Sequence, residues 1–448
     1  MYVQALFCNF NPKYSTVMKK LYNGIIVIFL MNVLFSSCTS DPAKELITEN
    51  LKADADNAGL TLPTGFGAIT VAENLGLTRH IVVTKERIIY LKIMGKVAPG
   101  KGIIQLTDTN GDGKSDKITG FGDYGGTGIA IKNNYLYTTS DEEVFRYKLN
   151  VNGEVINPTE PEKIITGLKK GNQHQSKSIT LDNDNHIYVN IGAYSNSCQE
   201  QDRTPGFKGI MPCPILDSAG GIWQFKADQI NQSYAEGIRY ATGLRNVMGL
   251  DWNSEQNQLF VMQHGRDDLH RLFPNLYTEK ENADLPAETM YAINKGDNAG
   301  WPYAYFDPFK NKNMLAPEYG GDGKKEGDKR FVNPAIAFPA HLAPNGLLFY
   351  TGKMFPAKYM NGAFIAFHGS WNRTPFPQEG YYIVFVPFEK GKPTGKWEIF
   401  ADGFAGMKMV NSFNGVKHRP CGLAQGPDGS LFVTDDQRGN IYRIFYKG

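Results

Sequence analysis

The sequence predicts an all-β protein, a six-bladed β-propeller whose blades are four-stranded antiparallel sheets. Apolar and polar residues alternate in short runs, which is the period of a strand with one buried face. The chain of 448 residues contains 48 Gly, 23 Tyr and 27 Phe, which favours tight turns and aromatic-rich strands over helices. A unit of about four such strands recurs six times, which is typical of propeller blades. One or two long β-sandwiches are the alternative.

Each repeat starts with a small residue before an alternating strand, passes through a turn rich in Asn, Asp and Gly, and often closes with a strand that contains arginine. The six copies lie at residues 80–106, 128–147, 178–225, 249–272, 346–386 and 422–444. In the fourth copy, Leu269–Leu272 is expected to be the closing strand. Residues 65–72 form a spare strand that is expected to complete the last blade. Insertions at 190–220 and 274–340 predict the walls of a binding site at one end of the channel.

The N-terminal segment differs from the rest of the chain. Two lysines precede an apolar run at 24–35, too short for a comfortable membrane span, and two small residues then lead to Cys38. This order predicts an export signal over 1–38, with Cys38 as the lipidated residue of a bacterial lipoprotein in the periplasm or on the outer membrane or cell surface. A plain signal peptide or an anchor helix is the alternative. Residues 39–61 are expected to form a polar tether and 62–448 the catalytic propeller.

Cysteine usage and net charge narrow the class of protein further. Export permits disulfides, and Cys198 and Cys213 bracket one loop that contains Gly and Pro, so they are the expected pair. Cys421 is then expected to be a buried single thiol. The sequence has no CxxC pair and no zinc-type spacing. A net charge of +2 argues against a nucleic-acid partner.

His174 is the first candidate for catalysis. It lies in a turn rich in glycine and amide side chains, GNQHQS, directly before an alternating strand. Imidazole accepts a proton near neutral pH, and the end of a strand on a rigid sheet can aim it at a substrate. His174 is therefore a candidate general base, and a solvated or capping histidine is the alternative.

Other polar residues fall at equivalent places near strand ends of the later repeats. Equivalent positions in a ring converge on its axis, and guanidinium groups bind carboxylates bidentately. These residues therefore predict an anion-binding and proton-handling pocket, and pairing of each arginine with an acid of a neighbouring blade is the alternative. They are Arg245, Asn246, His264, Gly265, Arg266, Asp267, the segment 368–373 and Arg419.

Six motifs together resemble those of the glucose/sorbosone dehydrogenase family. They are ATGLRN at 241–246, QHGRD at 263–267, NAGWPY at 298–303, HGSWNR at 368–373, HRPCGLA at 418–424 and PDGSLFVTDD at 427–436. The resemblance extends over about residues 62–446 and is strongest to the sorbosone dehydrogenase-like branch, because of the cysteine loop and the HGRD and HGSWNR segments. Members of this family are six-bladed propellers that use pyrroloquinoline quinone (PQQ) and calcium.

The resemblance implies a role for each motif residue. His174 would take the hydroxyl proton of an aldose, a sugar aldehyde or a related polyol while hydride moves to the quinone. Arg245 and Asn246 would bind the quinone oxygens, and Arg245 would stabilise the charge that develops there. The backbone carbonyls of Gly265 and Arg266 would hold calcium against the cofactor. The other implied contacts are His264, Arg373 and Arg419 to the cofactor, and His341 and Trp371 to the substrate.

The sequence also departs from the family pattern. The soluble glucose dehydrogenases have an acidic residue directly before the catalytic histidine, where this chain has Gln173, and their quinone-contacting lysine has no clear match in 368–373. These departures bear on glucose specificity more than on cofactor binding. The resemblance further implies an electron acceptor in the membrane or periplasm, such as a quinone or a cytochrome. The alternatives are a calcium-dependent lactonase and a non-catalytic lipoprotein that binds carbohydrate or protein.

An independent motif predicts a structural calcium site in the first repeat. Asp108, Asn110, Asp112 and Asp116 place oxygen atoms at alternate positions around a glycine that allows a sharp turn. The twelfth position is Thr119 rather than the Glu of an EF-hand, and the segment lies between strands rather than helices. An acidic hairpin turn is the alternative.

Overall fold

The computed structural model describes residues 51–448; the predicted export signal, Cys38 and the first part of the predicted tether lie outside the described residues. Six four-stranded antiparallel units make up the described part of the chain, one of them extended by a short fifth strand. This architecture confirms the predicted six-bladed propeller. No helix within 51–448 has the length and apolar character needed to cross a bilayer.

Each blade is a sheet whose four strands lie side by side in a fixed order. In that order they are Thr78–Val83, Ile89–Ile93, Ile103–Thr107 and Lys117–Phe121 in blade one; Ile129–Lys132, Tyr135–Thr139, Val144–Lys148 and Glu162–Thr166 in blade two; Ile179–Leu181, His186–Ile191, Gly221–Lys226 and Ile238–Thr242 in blade three; Val247–Asn253, Gln258–Gln263, Glu288–Ile293 and Ile336–Phe338 in blade four; Pro344–Phe349, Ala363–Phe367, Tyr382–Val386 and Glu398–Ala401 in blade five; and Pro420–Gln425, Leu431–Asp435, Ile441–Tyr446 and Phe66–Ala72 in blade six.

The remaining elements lie at the edges of the blades and in the loops. They are the short strand Gln232–Ser233 beside blade two, the hairpins Ala304–Asp307 with Lys312–Leu315 and Phe388–Glu389 with Lys392–Pro393, the α-helices Leu269–Leu272 and Glu279–Asp284, and the 3-10 helices Asn57–Gly59, Pro214–Asp217, Tyr234–Glu236, Pro317–Tyr319, Ala357–Tyr359 and Phe413–Gly415.

The first strands of neighbouring blades contact one another and so surround the central channel. Small residues make this approach possible. A Cβ on Gly346 would lie 2.4 Å from the carbonyl oxygen of Cys421 in blade six, and one on Gly422 would lie 2.5 Å from that of Arg79 in blade one. Glycine therefore begins these repeats because a neighbouring backbone occupies the space of a side chain.

The N-terminal strand closes the ring, as predicted. Phe66–Ala72 pairs antiparallel with Ile441–Tyr446, the third strand of blade six. The Phe66 ring packs edge-on against Phe355 and Phe400, with centroids 4.8 and 5.1 Å away. A strand from the N-terminal end thus forms the outer strand of the last blade, which ties the two ends of the propeller together.

The closing strand of blade four differs from the prediction. Leu269–Leu272 is one turn of α-helix, and the third strand is Glu288–Ile293, which pairs with Gln258–Gln263. Leu269 and Leu272 are both buried, and a spacing of three residues places them on one side of a helical turn, whereas in a strand it would place them on opposite faces. The predicted insertion at 274–340 therefore contains the two outer strands of this blade.

Residues 51–61 are not part of a free tether, so this end of the predicted tether is wrong. The backbone N–H of Asp54 donates to the carbonyl of Ala68 at 2.9 Å, and Thr61 forms a β-bridge with Asp402. Leu60 is buried in the apolar core of blades five and six. Burial of this leucine and the backbone bonds attach the segment to the propeller.

Candidate active site

His174 lies at the start of blade three with its backbone in the left-handed region, at φ 52°. Its Nδ1 donates to the carbonyl oxygen of Ala193, which leaves Nε2 as the nitrogen that carries the lone pair. Burial and the nearby Arg245 guanidinium lower the pKa of His174 to about 3. The imidazole is therefore neutral at physiological pH and has the protonation state of a base.

Asn246 lies beside the same histidine. A Cβ on Gly192 would be 2.6 Å from the His174 Cβ and 3.0 Å from Asn246 Oδ1, so this glycine lets the two side chains approach. Asn246 Oδ1 is buried, and it has no hydrogen-bond partner within the described part of the chain. A buried acceptor without a donor costs roughly 1–3 kcal/mol, which a bound ligand can recover. The structure thus brings the predicted base and the predicted quinone-binding amide together.

Arg245 is buried and points to the HGRD turn. Its guanidinium donates to the Asn196 side-chain oxygen at 3.0 Å, to the Gly265 carbonyl at 2.9 Å and to Asp267 at 2.7 Å. Burial lowers the pKa of Arg245, and the Asp267 carboxylate counteracts this effect. Its Nε also donates to the Asn196 carbonyl at 3.2 Å, so four acceptors hold Arg245 in one position.

Asp267 is the centre of this network. In addition to Arg245, it accepts hydrogen bonds from Arg203 at 2.9 Å and from the Asn372 amide at 2.7 Å. His341 Nδ1 lies 4.0 Å from Asp267 Oδ1. Burial opposes ionisation, but the two guanidiniums hold the pKa of Asp267 well below its usual range. Asp267 therefore stays charged and links four segments that surround the pocket.

Of the two predicted calcium carbonyls, that of Gly265 already has a hydrogen-bond partner. The Gly265 carbonyl accepts from Arg245, so a calcium ion at this oxygen requires that bond to break. The side chain of Arg266 forms a buried ion pair with Glu318 at 2.5 Å. No cluster of three or more His, Cys, Asp or Glu side chains with metal-ligand spacing occurs in residues 51–448. The predicted quinone contacts Arg245 and Asn246 lie beside His174, and calcium at the Gly265 and Arg266 carbonyls stays a prediction.

A second polar cluster surrounds Arg419. Its guanidinium donates to the carbonyls of His368 and Gly369 at 3.1 and 2.6 Å, and it lies 5.7 Å from the centroid of the Trp371 ring. Both acceptors are uncharged, so this buried cation retains the capacity to bind a carboxylate. Trp371 is 57% exposed, which leaves its ring accessible to a substrate.

The His368 imidazole belongs to the same cluster. Its Nε2 forms a 2.5 Å hydrogen bond with Asp436, which also pairs with Arg79. Burial alone would raise the pKa of Asp436. The contacts with His368 and Arg79 instead hold it well below its usual range. Neither Arg79 nor Asp436 was among the predicted site residues.

Three of the predicted residues connect segments of the protein. Arg373 donates to the carbonyl oxygens of Ala283 at 2.7 Å and Pro377 at 3.1 Å, and to Glu379 at 2.9 Å. These acceptors account for the geometry of its guanidinium, so the structure makes Arg373 a loop anchor rather than an open cofactor ligand. His341 and His264 bond to the carbonyl oxygens of Asn282 and Pro344 at 2.8 and 3.3 Å, respectively.

The side chains of the predicted structural calcium loop form hydrogen bonds within the loop. Asp108 accepts from the backbone N–H groups of Asn110, Gly111 and Gly113 at 2.7–3.1 Å. Asp116 accepts from the Thr109 backbone and hydroxyl and from the Asn110 amide. The carboxylates of this loop thus accept from its own donors, and the structural calcium site stays a prediction.

A disulfide joins Cys198 to Cys213, with their Cα atoms 6.2 Å apart, and Cys421 is a buried free thiol.

Among the carboxylates of the site, Asp267 had no role assigned from the sequence and Asp436 was not a candidate, although both end motifs that carry the family resemblance. The signal that could have found them is the number of arginines, because buried arginines need carboxylate partners.

Comparison with known proteins supports the same type of propeller. An uncharacterized protein of Borreliella burgdorferi is 29% identical over 331 residues, which is 71% of this chain and 75% of that protein. A pyrroloquinoline quinone-dependent sugar dehydrogenase of Hypocrea jecorina is 23% identical over 339 residues, which is 71% of this chain and 73% of that enzyme.

The fold is also shared with a solved structure. The calcium structure of Trichoderma reesei Carbohydrate-Active Enzymes Family AA12 aligns with a TM-score of 0.70 at 18% identity, over 90% of this chain and all of that one. Membership of the sorbosone dehydrogenase branch stays a prediction. The TrAA12-like family matches residues 60–447, which is almost the whole propeller. The chain therefore belongs to the TrAA12-like family and is a propeller of the PQQ-dependent sugar dehydrogenase type.

Proposed function

We propose that this protein is a PQQ-dependent dehydrogenase that oxidises an aldose, a sugar aldehyde or a related polyol. The observation that carries the proposal is the neutral, buried imidazole of His174, which bonds through Nδ1 and lies beside Asn246 and Arg245. The similarity to an enzyme named as a PQQ-dependent sugar dehydrogenase supports it.

His174 would act as the general base of this reaction. Its Nδ1 bond to Ala193 orients the ring so that Nε2 can accept the proton of a substrate hydroxyl. Proton uptake creates a positive charge near Arg245, and the Asp267 carboxylate favours that charge because it raises the pKa of His174. Asp267 would therefore stabilise the protonated base as well as fix Arg245.

The residues present fit an anionic quinone. Asn246 can donate its amide N–H to a quinone oxygen, and Arg419 is a buried guanidinium whose bonds go to neutral carbonyls. Arg419 would bind a cofactor carboxylate, while Arg245 and Asn246 would contact the quinone oxygens. When bound, PQQ supplies the group that accepts hydride. The carbonyls of Gly265 and Arg266 are the proposed contacts for calcium, with the Gly265 bond to Arg245 released.

A lactonase is less well supported by these side chains. A lactonase of this architecture needs carboxylates and amides that line a metal at the axis. Here the carboxylates of Asp267 and Asp436 are each bound to an arginine. Such pairs favour binding of an organic anion over binding of a bare cation.

Export and lipidation of Cys38 remain part of the proposal, with a membrane or periplasmic quinone or cytochrome as the electron acceptor. The order of lysines, apolar run, small residues and cysteine supports the anchor. Labelling of cells with a fatty-acid analogue should mark the protein, and Cys38→Ala should remove the label. Labelling that persists in this variant would refute lipidation at Cys38.

Dye reduction with added PQQ and calcium tests the enzymatic proposal over a panel of aldoses and sugar aldehydes. We expect turnover with at least one sugar, and a roughly 100-fold or greater loss in His174→Ala. His186→Ala is the matched control, because His186 lies in the same blade and bonds to Asp182. Absence of cofactor binding refutes the dehydrogenase, and equal rates in His174→Ala and the wild type refute the assigned base. Calcium-dependent lactone hydrolysis would support the lactonase instead.

A further inference from the structure

The loop closed by the disulfide, residues 198–213, is rigidly attached to the propeller. Within it, the Glu200 N–H donates to the Lys208 carbonyl at 2.9 Å. At its end, the Gly209 N–H donates to the Glu318 carbonyl at 3.0 Å. These bonds and the disulfide fix the positions of Asp202 and Arg203, which face the HQS turn.

Asp202 accepts hydrogen bonds from two segments that lie beside His174. Its Oδ2 accepts from the Gln173 amide at 2.7 Å, and Gln173 directly precedes His174. Its Oδ1 accepts from the Ser195 hydroxyl at 2.6 Å and the Asn196 N–H at 2.9 Å. One carboxylate thus joins the turn that carries the histidine to the segment that follows Ala193.

That second segment controls the imidazole directly. The carbonyl of Ala193 accepts from His174 Nδ1, and the N–H of Ala193 donates to the Arg245 carbonyl at 2.8 Å. The left-handed backbone of His174 costs of order 1 kcal/mol for a non-glycine residue and persists only when its surroundings hold it. His174 is held through Gln173, which precedes it, and through Ala193, which accepts from its Nδ1. Asp202 hydrogen-bonds to Gln173 and to the residues that follow Ala193.

Arg203 fixes the orientation of the Gln173 amide. It donates to Gln173 Oε1 at 3.3 Å, as well as to Asp267 at 2.9 Å and Asp268 at 2.7 Å. With a guanidinium on the oxygen, the amide nitrogen must face Asp202. A flipped amide would place a donor against a donor.

We propose that Asp202 is a positioning residue for His174 and that the disulfide loop supplies, in space, the carboxylate that the chain does not have next to the base in sequence. This proposal rests on the proposed function of His174 and adds a residue outside the reacting groups. Asp202 acts through Gln173 and Ala193 and does not itself touch the substrate.

The test exchanges the carboxylate of Asp202 and the amide of Gln173. Asp202→Asn keeps the shape and the acceptor for Ser195 but turns a donor toward the Gln173 amide. The double variant Gln173→Glu with Asp202→Asn restores one acceptor and one donor, and the new carboxylate at position 173 still accepts from Arg203. Lys208→Ala is the control, because Lys208 lies in the same loop with an exposed side chain.

Two readouts are measured on the full chain. In the cofactor-free protein labelled with 15N-histidine, Asp202→Asn should shift or broaden the His174 Nδ1–H resonance, identified by its loss in His174→Gln, and the double variant should restore it. In the loaded enzyme, Asp202→Asn should lower kcat roughly 10- to 100-fold with an unchanged Kd for PQQ, and the double variant should recover most of the rate. Lys208→Ala should match the wild type in both.

The outcomes separate this proposal from the proposed function. A wild-type protein without quinone-dependent turnover refutes the dehydrogenase, and the resonance still decides whether Asp202 positions His174. An unchanged resonance in Asp202→Asn, or a double variant as impaired as the single one, overturns the positioning role. If Asp202→Asn does not fold, Gln173→Met removes the same bond while Ser195 and Asn196 keep theirs, and a wild-type resonance in that variant overturns the proposal equally.

Discussion

Arg245 donates to Asp267 across 2.7 Å in a pair that is shielded from solvent, and the same carboxylate accepts from Arg203 at 2.9 Å. Two guanidiniums from different loops therefore depend on one acid. Arg245 carries the proposed quinone contact, and Arg203 belongs to the disulfide loop. The Asp267 carboxylate is the point at which the blade-four turn and that loop meet.

Replacement of this acid should destabilise the protein strongly. Asp267→Asn leaves the buried Arg245 without its carboxylate partner and Arg203 with Asp268, so we expect a loss of about 3 kcal/mol in the free energy of unfolding. Denaturation in guanidinium chloride measures it. The neighbouring Asp268→Asn is the control; Asp268 pairs with the more exposed Arg271 as well as Arg203, and its loss should stay near ~1 kcal/mol or below. Equal losses in the two variants would contradict the central role of Asp267.

The disulfide should contribute measurably to stability. Cys198 and Cys213 are separated by 15 positions, and a closed loop of this size stabilises the folded state by about 3 kcal/mol in the chain-entropy model. The double variant Cys198→Ser and Cys213→Ser should therefore have a lower Tm in calorimetry. A reducing agent should lower the Tm of the wild type but leave that of the double variant unchanged. A wild-type Tm that ignores the reducing agent argues against a stabilising disulfide.

Ring closure depends on Phe66. Its ring contacts four aromatic rings of blades five and six with centroids within 5.6 Å. Phe66→Ala should cost about 3–5 kcal/mol, because a large cavity forms where the N-terminal strand joins the last blade. Chemical denaturation compares it with Leu77→Ala, whose side chain is 44% exposed. A small effect in Phe66→Ala would show that closure does not rest on this contact.

Acid should destabilise the propeller through buried neutral histidines. Burial, together with the Arg79 charge, lowers the pKa of His80 to about 4, against about 6.5 in an unfolded chain. The unfolded state therefore binds a proton first as pH falls. The stability that neutral His80 contributes is complete above about pH 6.5 and is lost toward about pH 4.

Unfolding free energies at about pH 7 and about pH 4.5 test this effect of His80. His80→Gln should lose less stability over this interval than the wild type, because glutamine takes up no proton in either state. The hydrogen bond from His80 Nε2 to the Asn345 carbonyl, 2.9 Å long, can be kept by the glutamine amide. Parallel pH dependence in the two proteins would contradict the prediction.

The fold could be predicted because each blade repeats a local pattern. Small residues such as Gly346 and Gly422 mark the start of the inner strands, where the neighbouring backbone leaves no room for a side chain. Prediction of the closing strand of blade four was wrong, since a run of four residues, Leu269–Leu272, is too short for its pattern to separate a helical turn from a strand. Local pattern does not decide between a helical turn and a strand here. The third strand of the blade is identified by its pairing with Gln258–Gln263.

By itself, the sequence determined the six-bladed ring, the family resemblance and the candidates His174, Arg245 and Asn246, because these follow from short-range periodicity and from contiguous motifs. Only the tertiary structure decided which carboxylate each arginine meets and what holds the base. Asp202 and Gln173 are 29 positions apart and Asp267 and Asn372 are 105 apart, yet each pair is joined by a 2.7 Å hydrogen bond. Such partners meet only when distant loops pack together in the folded protein. Burial then makes their charges interdependent.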